Sequence, residues 1–179
     1  MDDIHIGALC VALVLLIGCS AFFSGSETGL MTINRYRLRH RAKSGDKAAQ
    51  RASKLLERPD RLIGIILLGN NFVNILASSL ATVVAIYFMG ETGIVASTVA
   101  MTIIVLVFGE VAPKTLAALH PERIAYPASA VLTPLLRVFY PLVWFTNLIV
   151  NGLLRLFRVT IQTSGQQSLS AEELRTVVL

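Results

Sequence analysis

Three short motifs inside the apolar stretches of this 179-residue chain concentrate oxygen donors. In Ser20-Ala21-Phe22-Phe23-Ser24-Gly25-Ser26-Glu27, the residues Ser20, Ser24 and Glu27 recur at i, i+4 and i+7 and line one helix face. In Gly69-Asn70-Asn71-Phe72-Val73-Asn74, Asn70 and Asn74 share a face, and Asn71 lies round the helix from them. The third motif is Gly109-Glu110-Val111-Ala112-Pro113-Lys114. Pro113 has no N–H to donate, and its ring collides with the carbonyl four residues back, that of Gly109. Such a helix break bares an oxygen where no side chain blocks access, a ligand position suited to a hard cation. Glu110 and Lys114 stand at i and i+4 in the better order for an ion pair, which could staple the kinked helix or handle an ion.

Blander readings exist for each motif. Serines let helices approach closely, and one interhelical amide bond accounts for one asparagine, less easily for three. Ser78, Ser79 and Thr82 read as helix packing. Taken together the donors are hydroxyls, amide carbonyls, a bared backbone carbonyl and carboxylates. That set suits magnesium, calcium or sodium rather than zinc or copper. His5, His40 and His120 are scattered, and Cys10 and Cys19 fall on opposite faces of one helix, neither a disulfide framework nor a metal pair. No nucleophile–base pair stands out, so an enzyme is not expected.

These donors need elements to hold them, and the charge distribution defines those elements. The chain is 54% hydrophobic and only 15% charged, with a mean hydropathy of +0.67. Residues 4–26, 62–90 and 92–109 carry no Asp, Glu, Lys or Arg. A membrane-spanning helix needs about 20 apolar residues, so the expected spans are 4–31, 60–88 and 93–118. Ten of the 16 Lys and Arg residues lie between Arg35 and Arg61, against Asp46, Glu57 and Asp60. A basic loop between two spans marks the cytoplasmic side and favours anionic lipid. Nucleic acid is not expected, because no aromatics interleave the charges. The fold class is therefore an all-α membrane protein of three transmembrane helices with a basic cytoplasmic helical loop at 34–58, broken near Ser44-Gly45-Asp46.

Orientation follows from the flanks. Asp2 and Asp3 precede the first span, so the N-terminus lies outside, and the turn Met89-Gly90-Glu91-Thr92-Gly93 has no Lys or Arg and also faces outward. Residues 124–160 are apolar but begin after Arg123 and end at Arg155 and Arg158. Pro127, Pro134 and Pro141 recur every seven residues and would bend a helix repeatedly the same way. The expectation is a curved amphipathic helix at about 122–160 in the inner interface, anchored by Tyr126, Tyr140 and Trp144, in preference to a fourth or re-entrant span. Residues 163–179 read as a polar linker and, from the capping pattern at Ser170-Ala171-Glu172-Glu173, as the start of a truncated cytoplasmic region. The transmembrane domain is thus 1–162.

The strings at 20–31, 69–74 and 109–114, in that order over nearly the whole chain, resemble the transmembrane domain of the CorC/CNNM (cyclin M) family of magnesium transporters. The resemblance implies a homodimer of three-helix units in the plasma membrane with a belt-like juxtamembrane helix. It also implies paired CBS domains that bind ATP, absent from this sequence. By the same resemblance the Mg2+ site falls on Ser20, Ser24, Asn70 and the backbone at Gly109, with Glu27, Asn74, Glu110 and Lys114 as accessory or counter-ion groups. Sodium-coupled magnesium export through an inward-open cavity is the implied activity. The alternative is a non-transporting Mg2+-sensing regulator that anchors the CBS domains.

The interfacial reading of 124–160 makes a prediction. In a background lacking Cys10 and Cys19, cysteines at positions 123 and 155 should react with an impermeant thiol reagent from the same side of sealed vesicles. Opposite accessibility would establish a fourth span.

Overall fold

The computed structural model describes residues 3–142 and, further on, 144, 145, 148, 149 and 152; of 3–5 it describes the backbone alone. Every element among them is helical: α1 (Asp3–Thr32), α2 (Arg35–Lys43), α3 (Lys47–Leu55), α4 (Pro59–Met89), α5 (Thr92–Ile104), a π-helical segment (Val105–Val111), α6 (Ala112–Leu119) and α7 (Pro121–Val138). Among the described residues, Ile6–Thr32, Pro59–Met89 and the continuous run Thr92–Leu119 are long and apolar enough to cross a membrane. Pro59 opens α4, at a helix position where its missing N–H has no ladder partner to lose. Gly90, at φ +64°, ends it, a left-handed conformation glycine adopts without a Cβ clash. The helices α1, α4 and Thr92–Leu119 pack on one another, and α1 also touches α7.

The basic loop has a core. Asn34 caps α2 by accepting from the Arg37 N–H, and Asp46 caps α3 by accepting from Ala48 and Ala49 N–H. Gly45 turns the chain between them at φ +91°. The Ala49 and Ala48 amides, with Arg41 beside them, hold the Asp46 carboxyl below its usual range. That cap is therefore intact above the ordinary carboxylate pKa and weakens as pH falls through the lowered value. Ala49, Ala52 and Leu55, at i, i+3 and i+6, are buried with Leu38, Leu30, Ile33, Leu62, Ile66 and Leu132. This cluster joins the loop-side ends of α1 and α4 to α2, α3 and α7. It lies at the end of the molecule that meets water, where burial of each large side chain contributes about 1.5–3 kcal/mol. In the spans themselves Val14, Leu15, Phe72, Ile75, Val95, Val99 and Phe108 are exposed, as lipid-facing side chains are.

An ion cluster pins α7 to the loop. Glu122 accepts from Arg37 Nη1 at 3.0 Å and Arg41 Nη1 at 3.4 Å, while Arg41 Nη2 meets Asp46 Oδ2 at 2.9 Å. The Arg41 guanidinium also lies 4.8 Å from the centroid of the Tyr126 ring. Pro127 and Pro134 sit inside α7, as the seven-residue repeat predicts, but α7 ends at Val138. Much of the rest of the expected 122–160 helix lies outside the described residues. The backbone breaks at Phe139, directly before Tyr140 and Pro141 resume helical geometry. Proline suits a first helical turn better than an interior. In the second compact unit, Trp144, Phe145, Leu148 and Ile149 are exposed. The expectations at Arg155 and Arg158 and for the linker at 163–179 lie outside the described residues.

Glu122 links two arginines from a partly exposed position, so its contribution is modest. Glu122→Gln should lower the melting temperature by about 1–3 °C at low salt, the range for exposed ion pairs in a chain of this size. The difference should shrink at high salt, when screening weakens the wild-type cluster. An unchanged melting temperature at low salt would show that α7 is held by its apolar face alone.

Candidate functional site

The site starts with a close approach of helices. A Cβ on Gly69 would stand 2.5–2.9 Å from carbons of the Phe23 ring, so the bare Cα of Gly69 is what lets that ring lie against α4. One residue on, Asn70 Oδ1 accepts from Ser20 Oγ at 3.1 Å. From the third span, a Cβ on Gly109 would stand 2.8 Å from the same Ser20 Oγ. Ser20 thus touches both other spanning helices. One turn further along α1, Ser24 Oγ donates toward the Glu110 carbonyl at 3.4 Å. Ser20 and Ser24 are each 1% exposed, so the helices close over these hydroxyls. A cavity beside them is lined by Gly18, Phe22, Gly25, Phe108, Pro113 and Ile124, among others.

The third motif is broken in a form that proline alone does not reveal. The backbone from Val105 to Val111 is π-helical, and its C-terminal bond runs from Ala112 N–H to the Val107 carbonyl, a five-residue step. In that register the N–H missing at Pro113 falls opposite Phe108; in the α register it falls opposite Gly109. The one oxygen left without the proline's donor therefore belongs to Phe108 or to Gly109, and Gly109 is the residue that packs on Ser20. A π segment within a spanning helix is a known companion of functional sites.

The wide turn also changes which charges meet. The Glu110–Lys114 pairing expected from i, i+4 spacing gives way to a tertiary one. Lys114 Nζ lies 3.8 Å from Glu27 Oε2 on α1, while Glu110 is among the residues that line a cavity on the α4–α5 side. The π segment takes Glu110 out of the α-helical phase on which local pairing depends. Asn74 Oδ1 and Ser26 Oγ are buried without a hydrogen-bond partner. Asn74 thus keeps a spare acceptor, and Ser26 is a buried hydroxyl that motif spacing alone does not single out. The described residues contain no group of three or more His, Cys, Asp or Glu placed to hold a metal.

Comparison with known proteins gives these motifs a setting. Residues 11–179 match the family described as the Cyclin M transmembrane N-terminal domain. The chain is 54% identical over 159 residues to a protein of Escherichia coli K12 described as the UPF0053 inner membrane protein YfjD; the match covers 89% of this chain and 37% of that protein. It is 44% identical over 178 residues to a UPF0053 protein of Haemophilus influenzae, covering 99% and 42%. A third relative, 30% identical over 181 residues (94% and 41%), is the polyamine export protein of Haemophilus influenzae. The chain spans about two fifths of the length of these curated relatives.

The contact between Gly109 and Ser20 can be tested without any ligand. Gly109→Ala should destabilise the protein by about 1–3 kcal/mol, the usual cost of overpacking, read as a lower melting temperature in detergent. Ser20→Ala removes the hydroxyl that the new methyl meets, so the double variant should recover part of the loss. Additive effects would mean the two residues are not in contact.

Proposed function

The chain belongs to the cyclin M transmembrane (CNNM) family, and on that premise we propose that it is the membrane domain of a magnesium transporter. One observation carries the reading. In an octahedron of oxygens at 2.0–2.1 Å from Mg2+, neighbouring ligands stand about 2.9 Å apart. Ser20 Oγ and Asn70 Oδ1, from two different helices, are 3.1 Å apart. The hydrogen bond that joins them without an ion therefore holds them near the spacing an ion needs. A carbonyl of Phe108 or Gly109, left without the Pro113 donor, would offer a third side in this reading, and Ser24 stands one turn away. Retained waters supply the remaining positions, as magnesium usually requires. Glu27, Glu110 and Asn74 add negative potential or spare acceptors around the site, and Lys114 offsets Glu27.

In this reading the chain is not an enzyme. It works as a homodimer in the plasma membrane, N-terminus outside and basic loop inside against anionic lipid. Sodium is the coupling ion for export, and CBS domains elsewhere in the full protein bind ATP. Relatives named polyamine export proteins favour a second reading, in which the cargo is an organic polycation. A long polycation calls for several separated acceptors, whereas the Ser20–Asn70 pair offers one compact oxygen corner. A non-transporting Mg2+ sensor would share the site and differ only in flux.

Proteoliposomes containing only this protein should move magnesium faster than empty vesicles, and more so with an opposing sodium gradient. Ser24→Ala and Asn70→Ala should weaken Mg2+ binding by roughly tenfold each in isothermal titration, the effect expected for one lost charge-assisted contact. Pro113→Ala should also weaken binding while leaving the protein at least as heat-stable, because it restores the missing N–H. Binding without flux would favour the sensor; putrescine flux without magnesium flux would favour polyamine export.

A further inference from the structure

A groove on the membrane face of the bundle is separate from the Ser20–Asn70 corner. It encloses about 480 Å³ between α1, the third spanning helix and α7, and is lined among others by Gly18, Gly25, Phe108, Pro113, Ile124 and Pro127. That size is within the range of pockets that hold small ligands. All of its lining residues are apolar or glycine. A Cβ on Gly25 would touch Pro113 Cβ at 3.5 Å, whereas one on Gly18 would meet nothing within 4 Å. The groove therefore has room beside Gly18 that no side chain of the protein takes up.

Its course matches one leaflet of a bilayer. From Gly18 to Gly25 it follows α1 for about 10 Å, against a leaflet hydrocarbon depth of about 15 Å. Leu116 and Ile124 mark the end nearer the basic loop, because the third span finishes at Leu119 and α7 starts at Pro121. A positive charge stands at that end. Arg123 directly precedes Ile124 and lies one turn before Pro127, and both Arg123 and Pro127 are exposed. The acids nearby are already matched: Glu122 accepts from Arg37 and Arg41, and Glu27 lies against Lys114. The Arg123 side chain has no ion pair or hydrogen bond among the described residues, so its charge is uncompensated. Helical side chains lean toward the helix N-terminus, here the His120 turn, which carries the guanidinium away from the apolar lining. A positive group at the interface, with an apolar trough leading from it into the bilayer, follows the polarity of one anionic lipid from head to tail. A partner helix, apolar along its length, would leave the arginine without a counter-charge.

We propose that the groove binds an anionic phospholipid of the loop-side leaflet, with one acyl chain along Gly18–Gly25 and the phosphate against Arg123. The proposal goes beyond a general attraction of the basic loop for anionic lipid, since it names one site and an arginine outside that loop. Phe108 and Pro113 belong to the interrupted stretch of the third span. The bound chain therefore packs on the same backbone break that Ser20 and Ser24 touch, and fills its lipid-facing side.

The test is native mass spectrometry of the delipidated protein titrated with phosphatidylglycerol or with phosphatidylcholine of the same acyl chains. The wild type should hold one phosphatidylglycerol per chain about fivefold more tightly than phosphatidylcholine, the preference that one basic residue near the membrane surface supplies. Arg123→Gln should erase that preference and leave phosphatidylcholine affinity unchanged. Arg39→Gln, at an exposed position in the loop, should leave the preference intact. Gly18→Leu extends into the open space and should weaken both lipids roughly tenfold, the loss of about two buried methylenes. It should melt no lower than the wild type, because leucine is the better helix former. Unchanged lipid affinity in Gly18→Leu would overturn the groove as the site. A preference that survives Arg123→Gln and falls in Arg39→Gln would give the anionic lipid to the loop and overturn the proposal. Loss of a dimer in Gly18→Leu with lipid binding unchanged would make the groove a contact between copies instead. None of these readouts involves magnesium, so the reading of Ser20 and Asn70 can fail while this one stands, and the reverse.

Discussion

Inside a bilayer, a backbone N–H or C=O that loses its partner finds no water to replace it, and each orphan costs several kcal/mol. This constraint turns the three apolar runs into helices, and it makes the single interruption informative. The interruption extends from Val105 to Pro113. The π turn shifts the ladder by one residue, and the proline removes a donor at its end, so one carbonyl oxygen, of Phe108 or of Gly109, loses that partner. It does so opposite Ser20 and Ser24, on the stretch of α1 where Gly109 allows close approach. The backbone break, the glycine and the serines occupy one level of the bundle. A positive charge among them is a natural substitute for the missing N–H.

Stability and chemistry are divided along the molecule. Lipid is as apolar as leucine, so the spans gain little from burying aliphatic side chains against each other, and many of theirs face outward. The aqueous end differs. There Leu38, Ala49, Ala52 and Leu55 from the loop pack with Leu30, Leu62, Ile66 and Leu132, and the ordinary hydrophobic effect applies. Glu122 and Arg41 add orientation more than energy. The loop-side core thus clamps α1, α4 and α7 at one end, and the contacts between the spans can remain few, polar and specific.

The spans were legible because absence of charge over twenty or more residues has almost one meaning; 4–31, 60–88 and 93–118 differ from the observed helices by one or two residues. Pro113 marked the break, yet proline states only that a donor is missing. Which carbonyl it was meant for depends on the ladder register, and the π register is a tertiary outcome. The Lys114 partner was misread for a related reason: i, i+4 spacing counts neighbours on one helix, and Glu27 comes from another. The loop core carried a signal in Ala49, Ala52 and Leu55, apolar at i, i+3 and i+6, but ten basic residues around it point first to topology. Sequence alone reads Thr82 as a packing residue without naming its partner, because Ser97, 3.3 Å away, comes from a different span.

Glu110 is where the parts meet. Its carbonyl meets Ser24 Oγ at 3.4 Å inside the π-helical segment, so a change at Ser24 bears directly on that stretch of backbone. A π turn can pass its extra residue along a helix, and one such step would move the Glu110 side chain and its carbonyl together. A change at the level of Ser20 and Ser24 therefore asks for no large rearrangement of the loop-side core, only for the one stretch of backbone whose hydrogen bonds are already incomplete.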